Sequence, residues 1–157
     1  MKTAHRTASK AKRRYVADPL AMFRVLNRIE PFTESEQHQL NVPVKLAFEK
    51  LRTGIGADDD FHTLAAAINV AMIRCEDIDP MAEITACNAR DALVRCLARH
   101  ATTGRWGFDG PALQDIPPAI DLHEQLLGLS TPLEMADAMK EAIRRMDAGI
   151  VMGVVAA

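Results

Sequence analysis

Cys96 and His100 stand four residues apart, a spacing that on a helix turns a thiol and an imidazole to one side and would suit a borderline-soft ion such as zinc. Two ligands do not complete a tetrahedral site. Cys87, nine residues before Cys96, points about half a turn away, so His62, Cys75 or His123 would have to arrive from other segments. Buried thiols on a core-facing stripe are the ordinary use of such cysteines. No metal and no cofactor is expected. Asp58, Asp59 and Asp60 with His62 form an acidic cluster, but the calcium-loop spacing, with its central glycine and distal glutamate, is missing after them. Carboxylates at a helix start cap its free amides and complement its positive dipole end, which accounts for the cluster without a cation. No Glu-x-x-His pair suited to a carboxylate-bridged di-iron site occurs.

His123 has Glu124 beside it and Asp121 two before it. Neighbouring helical side chains diverge, so these are not a preassembled acid–base pair, and a hydrogen-bonded interfacial histidine is the simpler reading. Nucleophile-elbow, phosphate-loop and cysteine-protease patterns are absent, and no catalytic residue is assigned.

Three further features suit binding. Lys2, Arg6, Lys10, Lys12, Arg13 and Arg14 give residues 1–15 six cations and no acid, whereas the remaining chain holds thirteen basic and twenty-one acidic side chains. If helical, that arm would align Arg6, Lys10, Arg13 and Arg14 as a phosphate-facing stripe; a solvated tail, or an arm gripping an acidic protein surface, uses the same charges. Arg105-Trp106-Gly107-Phe108 holds the only tryptophan in a glycine-framed loop. It either presents Arg105, Trp106 and Phe108 outward as a binding hot spot or folds the rings back as a lid on an aromatic-poor core. Met135, Met139 and Met146 fall on nearly one face of the last helix, and the uncharged tail Ile150–Ala157 continues it. Core packing is the plain reading. An exposed methionine face would be an adaptable contact for a protein partner or for a second copy of the chain, giving a homo-oligomer through the apolar C-terminal end.

The elements that must position these residues read as helices. The 157 residues are 48% hydrophobic but only 4% aromatic, so alanine, leucine, isoleucine and methionine do the packing. Asp18-Pro19, Asp79-Pro80 and Thr131-Pro132 each read as an N-cap with proline next to it at the first helical position. The first opens Pro19–Glu30, with Met22, Val25, Leu26 and Ile29 on one face. Thr33 to Glu36 is a capping box. Pro43 divides the next stretch into a helix to about Leu40 and another from Pro43 to Arg52, ended by Gly54. Residues 58–76 form a helix whose stretch Leu64–Ile73 is apolar nearly all round, so it belongs at the centre, and its Asn69 must find a partner. Pro80–His100 is amphipathic, with Asp91 and Arg95 as an i, i+4 pair. A short turn at Ala112–Asp115, a helix from Pro117 or Pro118 to Leu127 stopped by Gly128, and a last helix from Thr131 to Ala148 complete the chain.

These readings predict an all-α protein: a compact bundle of about six helices over residues 16–157 and a flexible basic arm over residues 1–15. Three cysteines, an odd number in no disulfide-framework spacing, and no apolar stretch behind the basic leader to form a secretory signal, fit a reducing, cytoplasmic setting. No membrane-length apolar run occurs. The expected function is that of a non-catalytic interaction or regulatory module binding a protein partner. A nucleic-acid-binding accessory protein using the arm is the alternative, and an enzyme with a dispersed site is a third.

Overall fold

A computed structural model describes residues 30–148. Those residues form five α-helices and no strand: α1 Glu34–Thr53, α2 Asp58–Ile78, α3 Glu83–Thr103, α4 Ala112–Leu129 and α5 Pro132–Asp147. The basic arm, the expected helix at 19–30 up to residue 29, and the tail from residue 149 lie outside the described residues.

Two helices begin where the capping boxes place them. Thr33 Oγ1 accepts from the Glu36 amide at 3.4 Å while the Glu36 carboxylate accepts from the Thr33 amide at 2.8 Å. Thr131 and Glu134 repeat the exchange at 3.3 and 2.7 Å, with Pro132 at the first helical position. Gly54 and Gly104 end α1 and α3 in the left-handed region, at φ 77° and 67°, where a side chain would be strained.

The expected count of about six helices is corrected to five in this region, because the internal prolines do not divide helices. Pro43 sits inside α1 on its solvent side, so the carbonyl it leaves unpaired, that of exposed Gln39, faces water; meanwhile Val44, Ala47, Phe48 and Leu51 hold the helix to the core. Pro117 and Pro118 likewise lie inside α4, where the freed carbonyls belong to exposed Leu113 and Gln114 while Ile116, Ala119 and Ile120 are buried on the other side. Asp79-Pro80 does not open α3. Asp79 caps the end of α2, its carboxylate accepts from the Met81 amide at 3.0 Å, and α3 starts at Glu83 after that turn. Gly128 does not stop α4 either: the helix runs to Leu129, and a side chain at 128 would press on Gln37 of α1. Arg95 does not pair with Asp91. It reaches out of its helix to Asp109 at 2.9 Å and Asp115 at 3.4 Å, and Asp91 takes Arg90 instead.

α2 is the axis of the body and packs on each of the other four helices. Phe61, Leu64 and Ile68 from α2 meet Leu51 of α1, Leu93 of α3 and Ile116 of α4, all essentially without exposure. Much of the remaining contact is alanine: Ala71, Ala86, Ala89, Ala92, Ala112 and Ala119 have no accessible surface. Alanine at a contact permits helix axes at the short end of the usual separation of about 8–10 Å. Toward α5, Ala138 and Ala142 face Val70, Met72 and Ile73. Buried Arg74 ties the two helices from the side, donating from Nε to Ser130 Oγ at 3.1 Å with Glu134 at 3.5 Å, and Arg145 of α5 pairs with Glu76 and Glu141. Asn69 finds its partner on α5, donating to the Met146 thioether at 3.7 Å.

Candidate functional site

The Trp106 loop is folded back. The Trp106 ring lies between His100 and Phe61, with centroid separations of 3.8 and 4.4 Å and interplanar angles of 3° and 20°, and its Nε1 donates to Asp58 Oδ1 at 2.7 Å. Phe108 stacks on Phe48 at 5.5 Å. Both rings thus close the end of the bundle where α1, α2 and α3 meet, and only Arg105 of the three expected contact residues remains exposed. The acidic cluster divides its work. Asp60 accepts from the Ala57 amide and from Lys50, capping α2, whereas Asp58 anchors the tryptophan. That second role carries no sequence signal, since the two residues are far apart in the chain.

Burial favours the neutral forms of the three thiols and of the His123 imidazole. Cys96 is buried and meets the Gly107 amide; desolvation raises its pKa, with that contact and Arg99 pulling the other way. Burial pushes the Cys75 thiol up to about 11, reinforced by the charges of Asp79 and Glu83. His100, four residues from Cys96, turns its ring to Trp106 instead. Among the described residues no group of three potential metal ligands comes together. His123 is buried beside Asn41, with Nδ1 3.3 Å from Asn41 Oδ1, and desolvation lowers its pKa to about 4 although adjacent Glu124 pulls it upward.

The methionines lead to an apolar groove. Met135 and Met139 line one wall of a groove of about 460 Å³, opposite Leu40 and Val44 of α1, with Val70 of α2 on the floor and Leu127 of α4 at the side. Among the described residues Thr63 and His123 are its only polar lining, and Leu40 and Met139 stay 45% and 38% exposed. A smaller hollow that shares Met139 and Ala66 with the groove is lined further along by Ile143 and Met146. The three methionines named from the sequence therefore lie along one trough. No known protein family, curated protein or solved structure matches this chain. No helix among the described residues is long and apolar enough to cross a membrane.

Sequence reasoning missed the groove's opposite wall. Dividing α1 at Pro43 hid the stripe that joins Leu40 and Val44 to Ala47, Phe48 and Leu51. It also missed Arg52 and Arg99, which with Arg105 line a second, basic cleft of about 720 Å³ beside Trp106 and Phe108. Those arginines serve the fold: Arg52 is bonded twice to Glu49, and Arg99 donates to the Phe108 carbonyl at 3.4 Å. A third cleft between α2 and α5 is the ion-pair lattice of Arg74 and Arg145 with their carboxylates. Arg145 lowers the Glu76 carboxyl, Arg144 and Arg145 bring Glu141 down to about 2, and Glu134 is lowered first by its bonds with Thr131 and then by Arg74.

Proposed function

We propose that this chain is a non-catalytic helical interaction module that binds a protein partner by taking an amphipathic helix of that partner into the groove between α1 and α5. The observation that carries the reading is the trough itself: an apolar groove lined from four helices beside a smaller hollow that shares Ala66 and Met139 with it, with two partly exposed methionines able to adapt to an incoming surface. The occupant's chemistry is set by charge. Residues 30–148 hold twenty acidic and eleven basic side chains, so a helix with an apolar stripe and a cationic outer face is favoured over an anionic one. The shifted groups also support a binding role, since the His123 imidazole and the Cys75 thiol are moved away from neutral pH, the opposite of what a general base or nucleophile requires.

The test uses two labelled peptides of about 14 residues, long enough to be helical when bound, with the same leucine stripe and either lysine or glutamate elsewhere. The lysine peptide binds the full chain, the glutamate peptide binds at least about tenfold more weakly, and Met139→Arg abolishes binding. Equal binding of both peptides, or binding indifferent to Met139→Arg, overturns the reading. The cluster of six cations in residues 1–15 supports a second reading, nucleic-acid binding by the arm. It requires a log–log salt slope approaching about −5 on duplex DNA that vanishes on removal of residues 2–14; a flat salt response excludes it.

A further inference from the structure

The groove requires a short amphipathic helix with a cationic outer face, and the chain carries one. In residues 19–29 Met22, Val25, Leu26 and Ile29 form an apolar stripe at helical spacing, with Arg24 and Arg28 opposite. We propose that this segment is the groove's resident occupant, folding back against α1 and holding the site closed until a partner helix displaces it. The inference rests on the groove being a helix-binding site.

Three observations support it. The first is where the segment ends. Residue 29 is joined to α1 through Glu30, Pro31, Phe32 and Thr33, and Phe32 lines the groove, fixed there by the Gln37 side chain donating to its carbonyl at 2.8 Å. A connection this short between helices favours antiparallel neighbours. The second is length. Eleven helical residues at about 1.5 Å each span roughly 16 Å, the same rise as the α1 stretch from Glu34 to Val44, which ends at the groove's far wall. Ile29 then lies near the groove's Phe32 end, Met22 near Leu40 and Pro19 near Val44. The third is charge. Residues 1–29 hold eight basic side chains and one acid against the acidic excess of residues 30–148, so the segment is drawn to the body it would cover. The apolar tail from residue 149 fits less well, because it leaves from the Met146 end of the trough and carries no cationic side chain to complement the acidic body.

Such an occupant is an intramolecular competitor. A short tether gives it an effective concentration in the millimolar range, which lowers the apparent affinity of an outside helix without altering the groove. Disrupting the segment therefore strengthens partner binding, the reverse of disrupting the groove.

Hydrogen exchange of the full chain, read by mass spectrometry, tests the proposal. Amides of residues 22–29 are expected to exchange at least about tenfold more slowly than an unstructured chain, since so short a helix does not persist alone in water. That protection is lost in Met139→Arg while α2 amides keep theirs; Leu40→Lys, at another exposed groove position, gives the same result should Met139→Arg perturb folding. In parallel, Leu26→Asp raises the affinity for the lysine peptide by about tenfold or more. Unprotected amides at 22–29, protection that survives both groove variants, protection that appears only at high protein concentration and so reports a second copy, or transfer of the Met139→Arg effect to residues 150–155 each overturns it. The two readings separate cleanly. Equal peptide affinity in wild type and Leu26→Asp removes the competitor and leaves the binding site, whereas groove-dependent protection of 22–29 with no peptide binding in Leu26→Asp removes the partner and leaves the docked segment.

Discussion

His123 makes the stability of the fold depend on pH in a window of its own. Its imidazole, 7% exposed and placed against Asn41 between α1 and α4, protonates near pH 4 in the folded chain and near 6.5 when unfolded. Below pH 6.5 the unfolded state binds a proton that the folded state refuses, so stability present above that pH is lost progressively as pH falls toward 4. The full gap corresponds to about 3 kcal/mol, of which about 2 kcal/mol is lost between pH 7 and pH 5. The lowered carboxylates, among them Asp60, Glu76, Asp109, Glu134 and Glu141, work in the same direction, but only as pH falls below their ordinary values near 4, which leaves the upper window largely to His123. Urea unfolding monitored by the single tryptophan is the assay. With a slope of roughly 2 kcal/mol per molar for a chain of this size, the midpoint of the wild type falls by about 1 M between pH 7 and pH 5. His123→Gln, which cannot titrate, loses about 2 kcal/mol less over that range. An equal fall in both proteins would refute the assignment of His123 as a buried neutral group.

Other substitutions separate geometry from composition. Gly54→Ala costs about 1 kcal/mol because φ is +77°, although nothing lies within 4 Å of the added carbon, whereas Gly110→Ala, equally open and without a positive φ, is neutral or stabilising; thermal unfolding of the pair checks this. Asp58→Ala leaves the indole N–H without its partner and lowers stability by about 1 kcal/mol, with a change in tryptophan emission that Asp59→Ala does not share. A thiol reagent at pH 8 labels Cys87 first, because Cys75 and Cys96 are buried and held protonated; simultaneous labelling of all three in the native protein would contradict the packing.

Legibility in the sequence divides by the range of the interaction. Helix starts at Thr33 and Thr131 and the stop at Gly54 were legible because a cap is decided within four residues. The centrality of Leu64–Ile73 was legible because a helix without a polar face has one place to go. The prolines misled because their cost depends on which way the vacated carbonyl faces, and only the packed bundle decides that. Arg95 and Asp58 were misassigned for a related reason: their partners, Asp109 and Trp106, come from elements that sequence spacing cannot bring together. Half of the groove was visible as the methionine face, and the other half vanished with the imagined break at Pro43.

The alanine seams carry a consequence for kinship. Where helices meet at Ala71, Ala86, Ala89, Ala92, Ala112 and Ala119, even one extra methylene has nowhere to go, while the leucine and isoleucine positions around them can exchange shapes at nearly constant volume. Divergence under those rules erases the apolar stripes first and the small residues last. A distant cousin of this protein would then share a spacing of alanine, glycine and serine across three helices long after its larger side chains had drifted beyond resemblance.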